Sequence, residues 1–242
     1  MFYVGADVSK GKWLTVKLSE GESCEVRLLD TITDIWDSYE AAELILIDIP
    51  IGLRGEGSEE RWCDKYARKL LGWPRRSSVF RAPCRPALEA ADYNAAKEIN
   101  KDMTGGKSLT IQSWSIVPKV KEVDEFLYKN ISARSKIREI HPEICFWALN
   151  GGKPMTFKKK KVDGFHERIR VLRQVYNQTE AVIQLARNEF QGRVADNDIV
   201  DAMVAAVTAL VGQRKVLTLP EKPEIDERGL PMEMVYYPMH TN

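Results

Sequence analysis

The stretch Glu43-Leu44-Ile45-Leu46-Ile47-Asp48-Ile49-Pro50-Ile51-Gly52 restricts the fold more than any other segment. Its aliphatic run carries no polar alternation, so a strand made from it must be covered on both faces, and the Pro and Gly that follow end it. Strands of that kind belong to the interior of α/β layers. Asp48 stands at the carboxyl end of the run, and ligands of open α/β sheets bind just outside such ends. A second carboxylate, Asp7, lies in an apolar run from Phe2 that reads as the first arm of a hairpin. The turn is expected at Ser9, Lys10 and Gly11, with Asp7 closing the strand and Trp13, Leu14, Val16 and Leu18 in the second arm. A carboxylate in a β run packs poorly and is costly to bury, so it implies a metal, cation or hydroxyl partner unless it only initiates the turn. If the two strands are neighbours, both acids come to one sheet edge.

At 242 residues and 44% hydrophobic content, the chain fits one large domain or one domain carrying an insertion. A formal net charge of +1 announces neither nucleic acid nor disorder, so any polyanion site must come from local patches. Cys24, Cys63, Cys84 and Cys145 form no CxxC pair, which argues against zinc and against a disulfide scaffold. The N-terminus lacks a signal-peptide pattern, and no run of about 18 apolar residues is present. These features lead to the expectation of a cytoplasmic protein without a membrane partner.

Residues 24–31 read as a third strand and 32–42 as a short helix capped at Asp30 or Thr31. From about 53 to 135 the pattern turns helical, with helices expected at 58–71 from a cap at Ser58, at 85–100 and at 112–130. Between the first two, residues 72–83 are too rich in Pro and polar groups for a regular element. Arg75, Arg76, Arg81 and Arg85 gather there with Trp73 and Phe80, a mixture that suits phosphates and stacked bases, or else a solvated loop anchored by its aromatics. Gly105-Gly106-Lys107-Ser108 ends like a phosphate loop but lacks the leading Gly and the preceding strand.

A short strand at 135–140 leads into His141-Pro142-Glu143, where Glu143 is either a favourable charge at a helix start or a third carboxylate after a strand. Lys158 to Lys161 read as a mobile solvated loop, although beside an acidic site they could hold a polyanion. Two helices follow at 164–176 and 180–190. In the last helix, 196–211, apolar residues cover nearly every side, so Asp198 and Asp201 need a reason that helix-dipole compensation of roughly 0.3–1 kcal/mol supplies poorly. The tail carries a strand pair around Asp226-Glu227-Arg228-Gly229.

Clustered carboxylates cannot all stay ionised in a poorly solvated cleft without a cation, and an oxygen-only donor set selects Mg²⁺ or Mn²⁺. Such ions support phosphodiester hydrolysis without a covalent nucleophile. The Asp7 hairpin, the Asp48 strand and the Asp-x-x-Asp-Ala helix resemble the ribonuclease H-like superfamily. Nearly the whole chain resembles the DUF429 family of predicted ribonuclease H-like nucleases, through Gly5-Ala6-Asp7, Ile47 to Leu53, Arg75 to Phe80 with Pro83, Gln112 to Asp124, His141-Pro142-Glu143 and Asp198 to Ala202. The resemblance implies an α/β fold: a ribonuclease H-like mixed central β-sheet flanked by helices, with a helical insertion at about 53–135. It implies a metal-dependent nuclease with Asp7, Asp48, Asp198 and Asp201 as ligands of Mg²⁺ or Mn²⁺, Glu143 joining them in catalysis, and Arg75, Arg76, Arg81 and Arg85 contacting nucleic acid. Asn197 stands where a second acid adjacent to Asp198 is expected, which lowers the site's charge. The competing readings are a nucleotide-binding phosphotransferase or ATPase, which would need a duplicated core that the chain has no repeat to supply, and a non-catalytic nucleic-acid-binding module.

Overall fold

The computed structural model describes residues 1–21, 23–55 and 60–239. Strands β1 (Phe2–Ser9), β2 (Lys12–Ser19) and β3 (Cys24–Leu29) form an antiparallel meander. Helix α1 (Ile32–Tyr39), held at its start by a reciprocal capping box between Thr31 and Asp34, returns the chain to β4 (Leu44–Ile47), parallel to β1. β5 (Ile137–Glu139) adds parallel to β4, giving the order β3-β2-β1-β4-β5. This mixed sheet flanked by helices is the α/β arrangement anticipated, consistent with a ribonuclease H-like fold.

One boundary differs. β1 does not end at Asp7 but pairs through Ser9, with Asp7 opposite Leu14. The turn is made by Lys10 and Gly11 alone, both at positive φ (51° and 82°), the two-residue connection whose twist matches the flanking strands. Asp7 is therefore an interior strand residue that faces one side of the sheet.

Alternation along the strands divides the core. Tyr3, Leu44 and Leu46 face one layer, and Val4, Ala6, Ile45 and Ile47 face the other. The first layer is closed by α6 (Pro142–Leu149), α7 (Val162–Val175), α8 (Thr179–Phe190) and α9 (Asp196–Gly212). Gly5 shares the parity of Tyr3 and Asp7, and there α9 touches the sheet backbone: a Cβ on Gly5 would lie 2.1 Å from the Ala206 nitrogen and 2.2 Å from the Ala202 oxygen.

Between β4 and β5 the described residues form only helices and turns. α2 (Trp62–Arg75) contains a break at Gly72 and Trp73, and the Ser58 cap expected for it lies outside the described residues. The helix expected at 85–100 divides into a 3₁₀ turn, Arg85–Glu89, and α3 (Tyr93–Met103), because Asp92 caps a new start by accepting from the Ala95 amide. The helix expected at 112–130 divides likewise into α4 (Ile111–Ser115) and α5 (Val117–Lys129), with Pro118 in the first turn of the second. β6 (Leu217–Ile225) and β7 (Pro231–Tyr236) make a separate two-stranded sheet around the Asp226 turn. No helix among the described residues is long and apolar enough to cross a membrane.

Candidate active site

Asp7 and Asp48 come together through strand register. Ala6 pairs with Ile47 across β1 and β4, and the Asp48 amide donates to the Ala6 carbonyl at 3.0 Å, so the two acids occupy the next rung. Asp48 shares the parity of Leu44 and Leu46, as Asp7 shares that of Gly5, so both belong to the face covered by α9. That helix carries Asp201 one residue before the Ala202 that touches Gly5. Asp7, Asp48 and Asp201 line one cavity of about 750 Å³, together with His141 and Glu143 from the start of α6. Asp198 sits half-buried a turn earlier, outside the lining but close enough to act on Asp7 electrostatically. Asp196, at the helix start, pairs with Arg187 on the surface.

Burial dominates the electrostatics. Asp7 is 9% exposed, and its carboxyl is held well above the usual carboxylate range by desolvation first, then by Asp48 and Asp201. Asp48 is pushed up to about 8 by desolvation, with Asp201 adding to it and Lys159 opposing it. The Asp7 Oδ1 accepts from the Val8 amide at 2.7 Å, which orients that carboxylate without neutralising it. Glu143 pairs with the buried guanidinium of Arg168 through Oε1, while its Oε2 is buried with no hydrogen-bond partner. Burial lowers the pKa of His141, keeping the ring neutral. Its Nε2 lies 3.3 Å from the Ser78 carbonyl, which can only accept, so Nε2 carries the proton and the buried, unpartnered Nδ1 carries the lone pair.

The cation that reaches this cluster is Lys159, which comes in from the surface with its side chain 44% exposed. Its ammonium donates to Asp201 Oδ2 at 2.6 Å, and that carboxylate raises its pKa further. The lysine run is thus an anchored segment rather than a mobile solvated loop. Phe157 O accepts from Arg75 and Arg168, Glu167 accepts from the Thr156 and Phe157 amides, and Gly164 of α7 allows the Lys158 carbonyl to within 2.1 Å of its would-be Cβ. Lys158, Lys159 and Lys160 all line the cavity.

The four arginines separate. Arg75 and Arg81 line the cavity; Arg76 is exposed beside it with its guanidinium 6.0 Å from the Trp73 ring centroid. Arg85 is not brought to the cavity. It is 8% exposed, with Nε and Nη2 on Asp124, Nη1 on Glu227 and Nη2 also on Asp226. Carboxylates on three sides hold its pKa above the ordinary arginine value.

A second buried group lies in the cavity wall. Ligand-type atoms of Cys63, Asp64 and Glu139 approach within 4.8 Å of one another, close enough to hold a metal ion. The Arg61 guanidinium, however, already donates to both carboxylates, at 2.7 Å to Asp64 and at 2.8 Å to each Glu139 oxygen. It supplies the positive charge that a metal would bring. Desolvation still pushes Glu139 up to about 7. Among the described residues, Asp7, Asp48 and Asp201 do not come within that same mutual spacing, and Lys159 stands beside them.

A family model described as "Protein of unknown function (DUF429)" matches residues 5–225. The chain belongs to the DUF429 family. No curated protein and no solved structure matches it. The match covers every acid of the cavity, from Asp7 to Asp201, and the three arginines that line it, Arg61, Arg75 and Arg81. In this DUF429 protein, Lys159, His141 and Arg61 are polar residues of the cavity to which sequence patterns assigned no individual role, although Lys159 lies in the lysine run that could hold a polyanion and His141 in the His-Pro-Glu segment of the resemblance. The signal for His141 was its place directly after a strand, ahead of Pro142 and Glu143. Arg61 has one local partner, Asp64 three residues on, while its contact with Glu139 and that of Lys159 with Asp201 are tertiary and leave no mark in the sequence.

Proposed function

We propose that this DUF429 protein is a metal-dependent phosphodiester hydrolase acting on nucleic acid. The observation that carries the reading is the rung shared by buried Asp7 and half-buried Asp48, two acids with raised pKa values that line one cavity with Asp201, beside Arg75, Arg81 and Lys158 to Lys160. The chemistry of the donor set suits Mg²⁺ or Mn²⁺, since every candidate ligand is a carboxylate oxygen, one lysine offsets their mutual repulsion and Glu143 keeps a buried oxygen without a partner. Asp7, Asp48 and Asp201 stand wider apart than the ligands of one ion and would have to close around it. Asp7, Asp48 and Asp201 would hold the metal, with Asp198 at the margin. A divalent ion held by these carboxylates would lower the pKa of a water and offset charge on a phosphate.

The chain's own residues do the rest. Arg75 and Arg81 give forked donors for phosphate oxygens, while Lys158 and Lys160 raise the local anion concentration. Lys159 balances the acids through its contact with Asp201 and lines the cavity, where its ammonium would also meet a phosphate oxygen. His141 Nδ1 has the lone pair to take a proton from the attacking water or to return one to the leaving oxygen. Arg61 and Glu139 hold the floor of the cavity, since Glu139 also accepts from the Ile51 amide that follows the Asp48 strand.

The test is a cleavage assay with Mg²⁺ or Mn²⁺ on labelled single-strand, duplex, hybrid and four-way-junction substrates. Cleavage of at least one is expected, falling by on the order of 100-fold or more in Asp7→Asn and in Asp48→Asn. Full activity in both variants, or no metal-dependent cleavage of any substrate, rules the reading out.

A further inference from the structure

The rim of the cavity exposes aromatic surface that folding would favour burying. Trp73 is 80% exposed and Phe80 44% exposed, and both line the cavity. A single exposed aromatic is ordinary, but these are held in place. Gly72 (φ 58°, ψ −175°) and an extended Trp73 turn the chain out of α2, presenting the indole. The Ser77 hydroxyl then donates to the Pro74 carbonyl and the Ser78 hydroxyl to the Arg75 carbonyl, each at 2.8 Å. Arg75 donates to Phe157 O at 3.2 Å, tying the aromatic segment to the lysine segment that closes the other side. Arg75 Nε is buried with no hydrogen-bond partner, a donor left over at the cavity wall.

We infer that the substrate of this site is single-stranded nucleic acid, with a base stacked on Trp73 and the adjoining phosphate lowered between Arg75, Arg81 and the lysines toward Asp7 and Asp48. The inference rests on the phosphodiester reading above and names its substrate class. Two features favour an unpaired strand. The acids lie deep, with Asp201 2% and Glu143 6% exposed, and a cavity of about 750 Å³ lies within the roughly 300–1,000 Å³ range of sites that engulf a small ligand. Such a space takes a nucleotide or two and cannot admit a duplex to the acids. A paired base, moreover, has both faces covered by its neighbours, whereas an unpaired one offers a π face to indole, and cations interleaved with aromatics then track the phosphates. Because every base has such a face, the recognition is tolerant of sequence.

The experiment measures equilibrium binding by fluorescence anisotropy to the Asp48→Asn protein in Mg²⁺, so that binding is read without cleavage. The probes are a labelled oligodeoxynucleotide, the matching oligoribonucleotide, the corresponding duplex, and an abasic strand with the same phosphates. The expected result is tighter binding of single strands than of duplex, with Trp73→Ala in that background weakening them by about 5- to 100-fold. Trp73→Phe, which keeps a π face, should restore most of that loss, and the abasic strand should be indifferent to both changes. The DNA and RNA arms then show which sugar is preferred. Equal affinity for duplex and single strand, or a Trp73→Ala loss as large on the abasic strand as on the base-bearing one, overturns the inference and leaves the nuclease reading standing. Binding of none of the probes overturns both.

Discussion

Asp48 is the residue on which the site's pH behaviour turns. Free of structure, an aspartate titrates near 3.9. In the folded protein burial pushes Asp48 up to about 8, with Asp201 adding to the effect. Between those values the folded state holds a proton that the unfolded chain has released, so stability falls as pH rises through the window. Asn is neutral at every pH and nearly isosteric. Asp48→Asn should therefore raise the melting temperature of the chelator-treated protein by several degrees near pH 8 and by much less near pH 5, where only about the first unit of the window has been crossed, while cancelling any rise on adding Mn²⁺. Differential scanning fluorimetry at the two pH values checks this; an equal shift at both would mean that repulsion at Asp48 is not what the substitution relieves. A carboxylate in an apolar run is legible in sequence, as Asp7, Asp48 and Asp201 are. A lysine among four is not, because nothing local distinguishes Lys159 from its neighbours.

The distance between two elements, β1 and α9, fixes where the acids meet. Gly5 lets the helix backbone rest against the strand, with Ala202, Ala205 and Ala206 in the contact. Asp7 follows two residues later on the same face, and Asp201 precedes Ala202 by one. A methyl group at Gly5 meets backbone atoms that cannot rotate away, so Gly5→Ala should cost about 1–3 kcal/mol or more and shift α9 along or off the sheet. Stabilisation by Mn²⁺ should weaken although no ligand has changed. Gly11→Ala is the control: that turn glycine has open space around it, so the strain of its positive φ costs on the order of 1 kcal/mol and leaves the Mn²⁺ response intact. Melting curves with and without Mn²⁺ separate the two, and a full Mn²⁺ response in Gly5→Ala would detach the site from this contact.

On the scale of the whole molecule, the helical excursion between β4 and β5 is fastened to the terminal hairpin by one ion network centred on buried Arg85, Asp124 and Asp226. Arg85 joins Asp124 of α5 to Asp226 and Glu227 of the β6–β7 turn, and Arg228 returns to Asp124 at 2.9 Å. Asp226 also accepts from the Leu53 amide at 2.9 Å, where the chain leaves the Asp48 strand. Removing one partner leaves buried charges uncompensated. Arg85→Met should lower stability by about 3–5 kcal/mol, roughly 6–20 °C in melting temperature for a chain of this size. Arg76→Ala, at an exposed position, should move it by no more than a degree or two. Thermal melts of the two variants check this, and an unmoved Arg85→Met would make that arginine a surface group.

Hydrophobic pattern alone determined the strands, most of the helices and the acids that interrupt them, because a buried β run and a charge inside an apolar helix are local facts about burial cost. The meander, the parallel β4 and the acidic residues of the cavity were legible on that ground. Helix breaks at Asp92 and after Ser115 were not, since a capping side chain competes with helix continuation on margins of about a kilocalorie. Only the tertiary structure decided which charges share a space. It gave Lys159 to Asp201, took Arg85 away to Asp124 and Asp226, and brought Glu139 onto Arg61. Coulomb attraction in a desolvated interior acts between groups that are close in space and far apart in the chain, and sequence spacing carries no record of that distance.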